Sequence, residues 1–120
     1  MRFPPRINLP GAVLCLGLVF AATVASALSP AGEGRRVYLR ENCYGCHGGR
    51  SGGGMGPNFR GDRPDSGDVR EAVLQGEEGG MPAYPTMSAL DITNLSAYFR
   101  SLRTASEPVF THWWEAVPTQ

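Results

Sequence analysis

The sequence predicts a single all-α domain. Three observations carry this: apolar residues recur at helical spacing in three separate stretches, glycine-rich loops divide those stretches, and no strand–helix–strand alternation is present. A chain of 120 residues allows one domain with a modest core. Eleven Asp and Glu balance eleven basic residues, and every basic residue is arginine. A chain without excess positive charge is not built to bind nucleic acid.

Residues 1–27 read as an export signal. Arg2 and Arg6 precede an apolar run from Gly11 to Ala22, and Ala25-Ser26-Ala27 has the small residues a signal peptidase cuts after. The mature chain is expected to start at Leu28 in the periplasm, with nine arginines against eleven carboxylates. An uncleaved anchor is the competing reading, but the run is short for a bilayer span, and no stable membrane insertion is expected after cleavage. Cys15 lies inside the run behind Leu14, a poor context for lipid attachment, and leaves with the signal.

The domain, 28–104, opens with helical character from Glu33 to Asn42, where Gly34 and Tyr38 stand one turn apart beside Val37. Cys43-Tyr44-Gly45-Cys46-His47 follows. In an oxidising compartment two cysteines would ordinarily be read as a disulfide. Cys-x-x-Cys-His is instead the attachment pattern of haem c, because two thiols three positions apart can add to the vinyl groups on one side of a porphyrin while the adjacent imidazole reaches the iron. A thioredoxin-like pair would sit in a βαβ unit, and zinc would need further ligands, for which His112 is the only other histidine.

Gly48 to Gly61 reads as a loop whose glycines let the backbone lie close against a flat ligand. It lacks the Lys-Ser/Thr ending of a phosphate-binding loop. Asp68 to Gln75 reads as a short helix with Val69, Ala72 and Val73 on one side and Gly76 as its stop. The last helix is capped by Ser88 with Asp91 in its first turn, and Ile92, Leu95, Phe99 and Leu102 form its core stripe, flanked by Tyr98. The tail, 105–120, is too apolar for a simple solvated end: Val109, Phe110, Trp113 and Trp114 either pack back on the domain or meet a partner.

From about Ala31 to Arg103 the chain resembles the class I c-type cytochromes. The blocks that carry the resemblance are Gly34…Tyr38, Cys43 to Gly48, Gly56-Pro57-Asn58-Phe59-Arg60-Gly61, and Gly80-Met81-Pro82-Ala83-Tyr84 ahead of a helix with Leu95 and Tyr98. The resemblance implies three to four short helices wrapped around one covalent haem, with first and last helices crossing closely at Gly34. It implies cofactor-binding roles for Cys43, Cys46, His47, Pro57 and Met81, with His47 and Met81 as the iron ligands. The Pro57 carbonyl would then hold the His47 imidazole in one tautomer. Met55 and Met87 compete with Met81, but Met55 lies only eight residues beyond His47.

The function expected is single-electron transfer between redox proteins, such as a periplasmic dehydrogenase and a terminal oxidase or reductase, with no catalytic residue of its own. With both axial positions filled, substrate cannot reach the iron, and no Ser/His/Asp or paired-carboxylate group suggests separate catalysis. Adjacent Glu77 and Glu78 are expected in a solvated loop. Two alternatives stand: a dedicated haem subunit of a periplasmic dehydrogenase, and a sensor or peroxidase-like protein with an open distal site.

Overall fold

The computed structural model describes residues 27–116, which form four helices and no strand. These are α1 (Pro30–Arg40), α2 (Tyr44–His47), α3 (Ser66–Gln75) and α4 (Ala89–Ser101). The predicted export signal, Cys15 included, lies outside the described residues apart from Ala27. Among the described residues no helix is long and apolar enough to cross a membrane.

Capping chemistry explains where each helix starts. The Ser29 hydroxyl accepts from Gly32 N (3.1 Å) with Pro30 in the first turn, so α1 begins three residues before the predicted Glu33. It ends before the predicted Asn42, because Asn42 takes a left-handed conformation (φ 57°). Asp65 accepts from Gly67 N and Asp68 N and starts α3 at Ser66, two residues ahead of the predicted Asp68. Gly76, at φ 75°, stops that helix as expected. Ser88 caps α4 by accepting from Asp91 N at 3.0 Å.

α1 packs across α4, and α3 also packs against α4. Val37 and Tyr38 meet Ile92, Leu95, Tyr98, Phe99 and Leu102, with Val69 and Val73 closing the core from α3. Tyr38 lies 5.6 Å from Tyr98 and edge-on to Phe99 at 6.1 Å. The crossing is set by Gly34: a Cβ there would lie 1.9 Å from the main-chain oxygen of Asn94 and 2.8 Å from Tyr98 Cβ. No rotamer relieves a clash with a carbonyl. Gly34→Ala is therefore expected to force α1 and α4 apart at a cost of about 3 kcal/mol or more, lowering the melting temperature by roughly 12 °C or more. Thermal unfolding followed by circular dichroism checks this; a shift below a few degrees would mean that the helices do not cross at this contact.

Candidate functional site

The site grows from the end of α1. Asn42 turns the chain out of the helix, Cys43 N donates to Tyr38 O (3.0 Å), and Tyr44–His47 winds one further turn. Cys43 and Cys46, three residues apart, fall on one side of that turn. Both thiols are half-buried and unpaired. Burial pushes the Cys43 thiol up to about 11, with Glu41 adding to the shift. A thiol held there is no activated thiolate, which removes the support for a thioredoxin-like pair.

His47 is 7% exposed and its orientation is fixed from three sides. Its Nδ1 lies 3.2 Å from Pro57 O. A carbonyl only accepts, so Nδ1 carries the proton and Nε2 keeps the lone pair a metal needs. Phe59 stacks on the imidazole at 4.4 Å between centroids and in turn packs on Phe99 at 4.3 Å. On the remaining side runs Gly56, where a Cβ would come within 2.6 Å of the ring.

The glycine loop was expected to press against a flat ligand, yet the contacts that demand missing Cβ atoms are with the chain itself. Gly48, at φ 82°, would otherwise strike Gly53 O, and Gly54 would strike Cys46 O. The loop is folded back under the motif by Gly53 N donating to His47 O and Gly56 N to Cys46 O, both at 2.9 Å. Gly48, Gly54 and Gly56 thus let the loop close on Cys46 and His47. Tyr38 adds a further tie, its hydroxyl donating to Gly48 O at 2.6 Å.

Of the three competing methionines, Met55 is 88% exposed, whereas Met81 and Met87 both pack against the core. Both are tied through the main chain: Glu77 N donates to the Met81 carbonyl (3.2 Å), where Gly79 and Gly80 take φ of 105° and 110° to bring the chain round, and Met87 N donates to Tyr84 O (3.0 Å). Three residues beyond Met81, Tyr84 N donates to Val73 O (2.7 Å), and the Tyr84 hydroxyl to Glu41 O (3.1 Å), next to the motif. Glu77 and Glu78 are exposed.

The donor set suits a group that brings its own equatorial ligands. Among the described residues no three His, Cys, Asp or Glu side chains could hold a bare metal ion. Two neighbouring thiols, a buried imidazole with Nε2 free to ligate, and an anchored thioether are what a porphyrin iron requires.

The sequence left three participants unassigned. Phe59 stood within a quoted block without a role. Ser51 is fully buried and shares a 3.0 Å hydrogen bond with the Tyr98 hydroxyl. Arg35 is buried and tied to Gly49 O and Tyr98; its only signal was its place beside Gly34 on the packed face of the first helix. The tail also divides: Trp113 lies on Tyr44 (5.1 Å) and in the notch of Gly49, while Trp114 is 59% exposed. Upstream, Arg60 and the Arg103 amide grip Glu107. Burial pushes its carboxyl up, but these hydrogen bonds win and hold it below the usual carboxylate range.

Over residues 29–99 the chain matches the family described as cytochrome c oxidase, cbb3-type, subunit III. A similar protein is cytochrome c oxidase subunit 2 of Alkalihalophilus pseudofirmus (strain ATCC BAA-2126 / JCM 17055 / OF4), 35% identical over 88 residues. That similarity covers 61% of this chain and 26% of the relative, so the chain spans about a quarter of the relative's length. No solved structure matches.

Proposed function

Because this chain belongs to the family of c-type cytochrome domains described as cytochrome c oxidase, cbb3-type, subunit III, we propose that it is a periplasmic carrier of single electrons with one haem c. Cys43 and Cys46 would hold the haem, with His47 Nε2 and Met81 Sδ as the donors to its iron. Haem binding and electron transfer follow from the family; the attachment, the ligands and the location are the proposal. The observation that carries it is the 3.2 Å contact of His47 Nδ1 with Pro57 O, since it prepares Nε2 as a ligand.

When bound, haem supplies a one-electron ferric/ferrous couple. The chain's own residues hold and tune it. Phe59, Gly56 and Pro57 O keep the imidazole from turning, so little reorganisation accompanies a change of charge. The Met81 thioether, a soft donor, favours the reduced state. The Tyr38, Tyr98 and Phe99 rings keep the core behind the motif dry. If His47 and Met81 both ligate the iron, a substrate would have no open position there, unlike in a sensor or a peroxidase.

The partners are redox proteins, proposed as a periplasmic dehydrogenase for the donor and a terminal oxidase or reductase for the acceptor. The mature surface has no lysine and a slight negative balance, so long-range attraction to an acidic partner is weak and apolar contact carries more of the docking. Trp114, 59% exposed, and Val109, 70% exposed, are the tail's apolar candidates for that contact, whereas Trp113 is engaged with Tyr44. Stopped-flow electron transfer to the oxidase partner should lose less than about tenfold in rate from low to high salt, and Trp114→Ala should slow it several-fold. A steep salt dependence would reject apolar docking. The exposed Trp114 and the oxidase-subunit relative also favour a second reading, a haem subunit resident in an oxidoreductase complex; co-purification of a stoichiometric partner at high salt would select it.

A further inference from the structure

We propose that Arg35 tunes the redox centre: it is a buried guanidinium with no carboxylate partner among the described residues, sealed by the C-terminal tail, and its fixed charge favours the reduced state. This rests on the electron-carrier reading above. Arg35 is 3% exposed. It donates to Gly49 O and to the Tyr98 hydroxyl, each at 3.1 Å, and to Trp113 O. Its Nε is buried without a partner, and none of the ion pairs among the described residues includes it. Phe110 covers the guanidinium face at 4.2 Å.

Such an arrangement is costly, since a buried charge is ordinarily paired or neutralised and arginine cannot release its proton. Carbonyls, a phenol and a ring face compensate it only in part. Gly49, which accepts from Arg35, is two residues from His47, and the Tyr98 hydroxyl reaches on to Ser51 in the same loop. The cation therefore lies against the segment that holds the proximal ligand. On reduction the centre takes one electron, no bond forms or breaks, and its charge falls by one unit. A fixed positive charge in a dry surrounding stabilises the state of lower positive charge.

The tail keeps that surrounding dry. A Cβ on Gly49 would lie 2.5 Å from the Trp113 ring, so the indole fits only because residue 49 is glycine. Glu107 feels the charge of Arg35, but its hydrogen bonds go to Arg60 and the Arg103 amide rather than to Arg35. Without Phe110 and Trp113, water would reach the guanidinium and screen it.

Equilibrium redox titration of the full-length holoprotein, with mediators, tests this. Arg35→Gln should lower the equilibrium constant for reduction about three- to tenfold, tenfold being about 59 mV for one electron. Arg35→Lys, which keeps the charge, should stay within about twofold of wild type. The double variant Phe110→Ala/Trp113→Ala, which keeps Arg35 but wets it, should fall in the same direction and become salt-dependent. A wild-type value for Arg35→Gln, or an equal fall for Arg35→Lys, overturns the proposal, the latter because packing rather than charge would then be at work. If Arg35→Gln fails to fold, the double variant decides, and an unmoved potential at low salt overturns it. A wild-type protein with no one-electron couple would instead sink the proposed function.

Discussion

Replacing either Cys43 or Cys46 by alanine is expected to reduce the yield of haem-bearing protein to a small fraction of wild type, and replacing both to abolish it. The two thiols lie on one side of a single helical turn whose ends are pinned by the Cys43 N to Tyr38 O hydrogen bond and by Gly48 at φ 82°. Neither thiol has a nearby substitute, since the domain contains no other cysteine. In the wild type the haem should stay with the chain through denaturation and extraction by acid and organic solvent, because thioether bonds survive both. Haem that partitions into the solvent would remove covalent attachment from the proposed function while leaving haem binding by the family fold intact. A mass for the mature protein one haem above that of residues 28–120 would support both the attachment and the expected cleavage.

Met81→Ala is expected to open the sixth position of the iron. The reduced protein should then bind carbon monoxide, and the potential should drop by well over tenfold in the reduction equilibrium, since axial ligands move haem potentials over roughly 0.8 V. Met87→Ala is the informative control, because Met87 also packs on the core and stands six residues away. Met81 is favoured by its place in Gly80-Met81-Pro82, the block that resembles the family's distal-ligand segment, since both methionines are tied through their main chains. Met55→Ala should change nothing at the iron, its side chain being exposed. The sulfur-to-iron charge-transfer band reads the outcome: its survival in Met81→Ala and loss in Met87→Ala would transfer the ligand role to Met87.

The helices were legible to different degrees. The last helix was readable from its start and its stripe, because Ser88 caps it and Ile92, Leu95 and Phe99 repeat at helical spacing, but it stops at Ser101 and leaves Leu102 as the extended cap. The first was misplaced by three residues at its start, although Ser29 followed by Pro30 is itself a start signal, because the apolar periodicity begins only at Gly34. Tyr44–His47 is helical by continuation through the motif, a turn too short to show any period.

At the site, the motif itself declared Cys43, Cys46 and His47, since that spacing of thiols and imidazole has few other chemical uses. Family likeness supplied Pro57 and Met81; the structure places the Pro57 carbonyl against His47 Nδ1 and separates the exposed Met55 from the two half-buried methionines packed on the core. Composition also sufficed to exclude a lysine-rich docking ring, because the chain has no lysine and its basic residues are all arginine.

What only the tertiary structure decided is the set of contacts between segments far apart in the chain. Trp113 and Trp114 are identical neighbours in sequence, yet one fills the notch at Gly49 and the other faces solvent, because only one of the two directions open to successive residues points at the domain. Arg35 is one of eleven arginines and looks like any helix-surface charge until Gly49, Tyr98, Phe110 and Trp113 close around it. Local spacing in a sequence records what a residue can do within one or two turns. Burial of a charge 78 positions away from the carbonyl that satisfies it is settled only when the chain folds back on itself.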